Sequence, residues 1–537
     1  MPTSKSPWPR WQKGWQTFLS RRYAPSLFIL IFTLIWNLPL VYLQNLTPDG
    51  CLYLDMGRNI FEGKGAILTL NFHFAWTGYS YPSLPYLHPV YPIIAGFIWM
   101  LTHSIDAVLA FNVAMLTLCA LLLYQIYKII TTKEIAFLGA LIYALIRNNR
   151  FVCSTPLTDY LHFAFILLAL LLLFKKRSYK ESFLAGIIIG FAFLVRVANL
   201  YASLAIGLAL LLAAEGTICF RLKRSILYSL GVLLIILPYE FFCYFHYGIW
   251  YPQYTSATKA LTFALDTPSS HFVNGNPSLV FTPQLTFVEH IKLFFKNTIL
   301  HLMQFLTILT YPILSAIFLY FFRRFRRRLA QFEILSIVLL SLFSILGYSV
   351  SIYWWRYLEW WRYSIIPIAC GLPLAAMGLH RLLAYIRFPY HRFRYMVLTL
   401  TFCIALGLNI YSAINYNLSI SSIAEKNRSE RTSALNFVNE NSSEDDLITT
   451  NLTDMMFLFN RPFINLSYGK ILTEDNLKDF LNIHKPKLIL IYYLPLHKLP
   501  FNEVYSNFDP KYHLIILQAG YSFEGIDEYF RYYKRIN

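Results

Sequence analysis

The sequence contains repeated apolar runs that are about as long as a lipid bilayer is thick. An α-helix needs about 20 apolar residues to cross the hydrocarbon core. Charged residues make up only 14% of the chain, against roughly 25% in a soluble protein. We therefore predict an α-helical polytopic membrane protein with about eleven transmembrane helices. The predicted spans are 24–44, 106–128, 134–149, 156–174, 181–196, 199–215, 225–245, 298–322, 331–352, 362–385 and 395–416.

One further apolar run, at 88–102, is too short to cross the bilayer as a helix. Pro89 and Pro92 lie at its start, where proline is compatible with a helix because its missing N–H has no partner there anyway. We predict a re-entrant or interfacial helix for this run, since it covers only about half of the bilayer.

Basic residues lie in every second loop between the predicted spans. Cytoplasmic loops of membrane proteins carry an excess of Lys and Arg, and this bias sets the orientation. The alternation predicts a multi-pass protein of the plasma (inner) membrane with a cytoplasmic N-terminus. An odd number of spans then places residues 417–537 outside the cytoplasm. The basic clusters are Arg21–Arg22, Lys128–Lys133, Lys175–Lys180, Arg221–Arg224, Arg323–Arg328 and Arg387–Arg394.

The net charge of +18 is concentrated in the membrane part of the chain. Residues 417–537 hold 13 Lys and Arg against 15 Asp and Glu, whereas residues 1–416 hold the other 33 and 13. Because the excess falls in the short loops that orient a membrane protein, it points to the lipid bilayer as partner and not to nucleic acid.

The chain divides into a transmembrane catalytic domain at 1–416 and an outer-face domain at 417–537. The first includes two long outer loops, at 45–87 and 246–297. In the second, alternating patterns predict a small α/β domain. Helices are expected at 429–440 and 474–483, and strands at 446–450, 487–493 and 513–518.

Ionisable residues near the outer ends of the spans are the candidate functional groups, because charge at membrane depth is costly and is retained mainly where it has a task. Asp49 follows the first span and could act as a general base or metal ligand. It could also cap the helix that follows, a role that does not exclude the first, and in that helix Asp55 and Arg58 are three residues apart on one face. His88 could bind a phosphate or a metal, or could form a backbone hydrogen bond at the interface.

Three more candidates lie at the same predicted membrane face. Asp159 opens the fourth span, Arg196 ends the fifth, and Arg362 with Tyr363 begins the tenth. The planar fork of arginine suits phosphate recognition through two parallel hydrogen bonds. The alternative is that each arginine reaches toward the interface beside the aromatic belt.

Other reaction classes lack their motifs. The sequence has no phosphate-binding lysine loop, no GxGxxG, no HExxH and no GxSxG, so nucleotide-driven chemistry and serine hydrolysis are without support. The seven cysteines include no CxxC pair and none lies beyond residue 416, so neither a thiolate metal site nor a disulfide framework is indicated.

The order of these motifs resembles the GT-C superfamily of membrane glycosyltransferases, in its bacterial branch related to protein O-mannosyltransferases and the aminoarabinose transferase of lipid A. The likeness covers most of the chain. It rests on Pro48–Gly50 with Tyr53 and Arg58, on His88–Pro92, on Asp159, on Gly190–Arg196, on Arg362–Tyr363 with Pro367, and on Ala434–Thr450.

The resemblance implies transfer of a sugar, with inversion, from a polyprenyl-phosphate donor to an acceptor hydroxyl at the outer face. Asp49 would be the catalytic base, and Asp159 the second acid. The leaving lipid phosphate requires cations, for which the candidates in this chain are Arg58, His88, Arg196 and Arg362, with Tyr363 beside the last. Some relatives carry an Asp-Glu pair where this chain has Asp49-Gly50, so no cofactor is assigned and a divalent metal is left open.

Two other functions are compatible with many spans and buried charges. A lipid or polysaccharide transporter (flippase) would usually have internal repeats and broken helices near the midplane, and neither is evident. A non-catalytic factor for envelope assembly would not need Asp49. The acceptor could be a protein, a glycolipid or a polysaccharide.

Overall fold

A computed structural model of the chain describes four main groups of residues. These are 17–71, 88–247, 331–374 without 352–364, and parts of 432–536, with isolated positions between 400 and 414. Single residues inside these ranges (20, 22, 45, 47, 198, 214 and 215) and parts of the last range (451–460, 462, 466–476, 479–480, 483–484, 493–509 and 527–529) are not described. The predicted span at 298–322, most of the loop at 246–297, and Arg362 with Tyr363 lie outside the described residues.

The described chain up to residue 374 is almost entirely helical. Its helices are α1 Ala24–Asn37 (continued by a 3-10 turn, Leu38–Leu43), α2 Pro48–Phe61, α3 Val90–Thr102, α4 Ile105–Ile130, α5 Lys133–Leu145, α6 Arg147–Cys153, α7 Asp159–Lys175, α8 Tyr179–Val195, α9 Asn199–Leu212, α10 Ile218–Tyr247, α11 Phe332–Ser351 and α12 at 365–374.

Three of the described helical stretches are long and apolar enough to cross a membrane: Ala24–Tyr42, Ile105–Ile130 and Ile218–Phe245. Shorter apolar helices include Val90–Thr102, the predicted half-span, which has 13 residues. The predicted spans that fall on described residues are largely helical, but the one at 134–149 is divided between α5 and α6 at Ile146, and α7 begins only at Asp159, three residues after the predicted start at 156. The total of eleven spans and the orientation of the termini stay predictions.

Helices α8 and α10 pack through glycines. A Cβ atom at Gly186 would overlap the carbonyl oxygen of Tyr228, and one at Gly231 would overlap that of Phe183. At Gly190 an added Cβ would lie 2.7 Å from the Cβ of Ile235. Gly186 and Gly190 form the small-xxx-small spacing that allows helix backbones to approach closely in a membrane. This close packing fixes α8 against α10.

The described strands form one six-stranded mixed sheet in the order β1-β3-β2-β4-β6-β5. The first four strands in that order run parallel, and β6 and β5 continue the sheet antiparallel. The strands are β1 Leu70–Asn71, β2 Ile448–Thr450, β3 Phe463–Asn465, β4 Leu488–Tyr492, β5 Tyr521–Ile526 and β6 Phe530–Arg535.

Both faces of β4 are buried, as its uninterrupted apolar sequence leads us to expect. Leu488 and Leu490 pack in a cluster with residues of the helix α13, at 432–441. Ile489 and Ile491 pack in a second cluster with Ile515 and Ile516. The strand therefore lies between two layers of apolar side chains.

The strand predicted at 446–450 is observed in its last three residues, and the one predicted at 487–493 in its central residues. The helix predicted at 429–440 is observed as α13. The strand predicted at 513–518 is wrong, because these residues belong to the helix α14, Pro510–Gln518. Pro510 suits the first turn of a helix, and a short apolar run does not by itself distinguish a strand from a buried helix.

The sheet also contains a strand that the sequence analysis missed. Strand β1 belongs to the first outer loop and pairs with β3, so Leu70 lies opposite Phe463 and Asn71 opposite Ile464. The sheet thus combines strands from both sides of the predicted domain boundary at residue 416, which itself stays a prediction.

Candidate functional site

Asp49 lies in the first turn of α2, where its carboxylate is half-buried. The helix begins at Pro48, so Asp49 is its second residue. An acid in the first turn interacts favourably with the helix dipole. The capping role and the catalytic role of Asp49 both stay predictions.

Gly50 brings the start of α2 against the segment that precedes α7. A Cβ at Gly50 would lie 2.9 Å from both Cγ and Cδ of Pro156, and 3.2 Å from its carbonyl oxygen. Pro156 is three residues before Asp159. The contact brings the two acids to neighbouring segments of chain. A side chain at position 50 would therefore require the two segments to move apart.

The other end of α2 is fixed against α3. A Cβ at Gly57 would lie 2.8 Å from the Cα of Gly96 and would overlap the carbonyl oxygen of Pro92. The rings of Tyr53 and Tyr91 also meet edge to face, with centroids 5.3 Å apart. Since backbone touches backbone at the glycine crossing, α2 has little freedom to slide along α3.

A buried asparagine connects these helices to the Pro156 segment. Asn112 in α4 donates from Nδ2 to the carbonyl oxygen of Thr155 at 2.7 Å. Its Oδ1 accepts from the hydroxyl of Tyr91 at 3.1 Å. Sequence reasoning missed Asn112, although an amide within an apolar span is a usable signal because an unsatisfied polar group there is costly.

Asp159 and Arg196, predicted separately at one face, form a largely buried ion pair. Nη1 of Arg196 lies 2.6 Å from Oδ1 of Asp159, and the side chains are 14% and 2% exposed. Asp159 is the first residue of α7, and Arg196 follows the last residue of α8. Asn199 donates to the Arg196 carbonyl oxygen at 3.0 Å and so holds the chain at this turn.

His88 is buried beside the same end of α8. Its ring meets that of Phe193 edge to face at 5.3 Å between centroids, and it lies 6.4 Å from the ring of Tyr239 in α10. Phe193 is three residues before Arg196. The next residue of α10, Glu240, is buried as well. Glu240 is a membrane-depth acid that the sequence analysis did not single out, although its position within an apolar span was visible.

Arg58 forms a buried ion pair within α2. Its Nη2 lies 2.8 Å from Oδ1 of Asp55, as the spacing of three residues predicted. Asp55 also accepts from the backbone N–H and the hydroxyl of Thr69, each at 2.6 Å. Arg58 therefore serves first as the counter-ion of a buried carboxylate, and its contact with a donor phosphate stays a prediction.

The described residues contain no group of three or more His, Cys, Asp and Glu side chains that could hold a metal ion. Asp49, His88, Asp159 and Arg196 nevertheless supply two carboxylates, an imidazole and a guanidinium on neighbouring segments of chain. Such a set can accept a proton and stabilise an anion. Arg362 and Tyr363, the remaining candidates, lie outside the described chain.

Comparison with known proteins connects this site to a family of enzymes. Residues 85–241 match the family profile described as dolichyl-phosphate-mannose-protein mannosyltransferase. That range includes His88, Asp159 and Arg196, and begins after Asp49. No curated protein sequence matches the chain significantly.

Two solved structures resemble the whole fold. ArnT from Cupriavidus metallidurans, bound to undecaprenyl phosphate, aligns with a TM-score of 0.58 and 11% identity over 96% of this chain and 99% of its own. The oligosaccharyltransferase AglB from Archaeoglobus fulgidus, in complex with an inhibitory peptide and a dolichol-phosphate, aligns with a TM-score of 0.55 and 12% identity over 87% and 69%. The chain has the fold of the GT-C membrane glycosyltransferases.

Proposed function

We propose that the protein is a glycosyltransferase that moves a sugar from a polyprenyl-phosphate donor to an acceptor hydroxyl at the outer membrane face, with inversion. The observation that carries the proposal is the contact of Gly50 with Pro156. It joins the helix start that bears Asp49 to the segment leading into the Asp159–Arg196 ion pair. A base and an anion-stabilising group are the two parts that such a transfer needs.

In the proposed reaction, Asp49 removes the proton from the acceptor hydroxyl as its oxygen attacks the anomeric carbon. The new C–O bond forms on one face of the sugar while the bond to the lipid phosphate breaks on the other, which inverts the configuration. The electron pair of the broken bond leaves with the phosphate. Half-burial of Asp49 leaves it accessible to an acceptor.

Arg196 is the proposed cation for the leaving phosphate, since arginine carries five N–H donors and stays charged. Asp159 would orient it through their ion pair. His88, at the same end of α8, would contribute a further donor. Arg362 and Tyr363 are proposed to complete the donor site. Arg58, whose guanidinium pairs with Asp55, is proposed to contribute less to it.

Support for a lipid-phosphate donor comes from the two similar structures, which hold undecaprenyl phosphate and a dolichol-phosphate. The small α/β domain at 417–537 would then lie over the site on the outer face, either as a cover or as a platform for the acceptor. We assign no metal at position 50, because glycine offers no side-chain ligand there.

The decisive experiment measures transfer from a polyprenyl-phosphate sugar by the purified chain in lipid nanodiscs. Asp49→Asn should lower kcat by about 10²–10⁴-fold, because general-base catalysis typically contributes that much. The matched control is Asp106→Asn, since Asp106 also lies in a helix first turn and accepts a hydrogen bond from Gln44. Full activity in Asp49→Asn would refute the base assignment. Lipid movement across the bilayer without any glycosylated product would support the transporter instead.

A further inference from the structure

The edge of the C-terminal sheet is built from the first outer loop. Strand β1 pairs in parallel with β3, Leu70 opposite Phe463 and Asn71 opposite Ile464. The loop that supplies β1 is the same loop that begins with α2 and Asp49. The sheet and the proposed catalytic helix are therefore connected by a few residues of chain.

Those few residues are held by a buried polar cluster around Asp55. The carboxylate, fully buried in α2, accepts hydrogen bonds from Arg58, from the Thr69 backbone and from the Thr69 hydroxyl, at 2.8, 2.6 and 2.6 Å. Asn59 adds contacts to the Thr69 hydroxyl at 3.2 Å and to the Ile67 carbonyl oxygen at 3.0 Å. Charge-assisted bonds to a buried carboxylate are among the strongest in proteins, so this cluster joins the loop firmly to α2.

Thr69 is the residue at which this cluster meets the sheet, because β1 begins at the next residue, Leu70. On its other side, Asp55 is six positions after Asp49 in the same unbroken helix, a rise of about 9 Å at 1.5 Å per residue. A displacement of Thr69 is therefore transmitted along α2 to Asp49, since a helix is stiff over two turns.

We propose that Thr69 is a positioning residue that couples the C-terminal sheet to the catalytic helix, so that sheet and helix move as one body. The sheet side of the coupling is the pairing of β1 with β3, and the helix side is the bond between the Thr69 hydroxyl and Asp55. The catalytic consequence rests on the proposed function of Asp49, whereas the mechanical coupling does not.

The experiment compares Thr69→Val with Thr69→Ser in the full chain in nanodiscs. Valine has the shape of threonine but lacks the hydroxyl, whereas serine keeps it. Thr117→Val is the matched control, because the buried Thr117 hydroxyl donates within its own helix, to the Val113 carbonyl oxygen at 2.8 Å. Kinetics of sugar transfer and backbone hydrogen exchange are measured on all three variants and on the wild type.

In Thr69→Val we expect kcat to fall roughly tenfold or more, as for a misplaced catalytic group, while KM for the lipid donor changes by less than about twofold. Thr69→Ser should restore kcat. Hydrogen exchange should rise together in α2 and in residues 463–465 of Thr69→Val, and in neither segment of Thr117→Val. A change in KM alone, or faster exchange in α2 with none in β3, would overturn the coupling.

The two proposals fail in different ways. If the wild-type chain transfers no sugar, the proposed function is wrong, and the exchange measurement still decides the coupling. If the wild type transfers sugar and Thr69→Val matches it in kcat, the positioning role is wrong and the proposed function stands.

Discussion

Nη1 of Arg196 lies 2.6 Å from Oδ1 of Asp159, although the two residues are 37 positions apart in the chain. Their contact joins the end of α8 to the start of α7. In the apolar surroundings of these helices, each charge offsets part of the desolvation cost of the other. Removing one partner therefore leaves an uncompensated charge, whereas removing both does not.

Asp159→Asn should lower the thermal stability of the chain, because breaking a buried ion pair from one side costs about 3–5 kcal/mol. The double variant Asp159→Asn/Arg196→Gln should recover much of that stability, since no buried charge is then left without its counter-ion. Transfer activity should stay lost in the double variant, because the cation proposed for the phosphate is gone. Wild-type activity in the double variant would contradict the role of Arg196.

Arg362→Ala should raise KM for the lipid-linked donor more than KM for the acceptor, because the guanidinium is proposed to bind the donor phosphate. Steady-state kinetics with each substrate varied in turn would measure both constants. Lys180→Ala is the control, an exposed basic residue in a predicted cytoplasmic loop. An unchanged dependence on donor concentration in Arg362→Ala would remove Arg362 from the donor site.

Gly50→Ala should lower transfer strongly, by up to about 100-fold, because the added methyl displaces the helix start from Pro156 and moves Asp49. Gly407→Ala provides a matched helical control, since a Cβ there meets nothing within 4 Å. In an open helical position alanine is more favourable than glycine by about 1 kcal/mol. Equal activity of the two variants would show that Asp49 does not depend on this contact.

Reporter fusions at residue 416 test the predicted orientation. A phosphatase that is active only outside the cytoplasm should be active there, and a cytoplasmic fluorescent reporter should be dark. Fusions after Lys176 should show the opposite behaviour, because the cluster at 175–180 is predicted to be cytoplasmic. The same reporter result at both positions would require a different number of spans between them.

The helices of the membrane part were predictable because their signal is local. The length of an apolar run and the polar residues at its ends are visible in the sequence itself. The helix α14 was mistaken for a strand because its apolar run is short, and only the packing of Ile515 and Ile516 against the sheet determines its conformation.

The candidate site was predictable in its residues but not in its contacts. Asp159 and Arg196 were assigned to one membrane face, yet their ion pair depends on how α7 and α8 pack. Gly50 was visible in the sequence, but its contact with Pro156, more than a hundred residues away, was not. Strand β1 pairs with β3, but nothing in the sequence of either segment indicates this pairing.

The glycine packing of α8 against α10 fixes the position of Arg196 along the axis of α8 relative to α10. Gly190 is six residues before Arg196, about 9 Å along the helix axis, and its contact with Ile235 prevents α8 from sliding. A lipid phosphate has a height of its own, set by the thickness of the hydrocarbon layer. If Arg196 binds the donor phosphate as proposed, guanidinium and phosphate would meet best in membranes of one thickness, and the lipid composition around the protein would help to determine its rate.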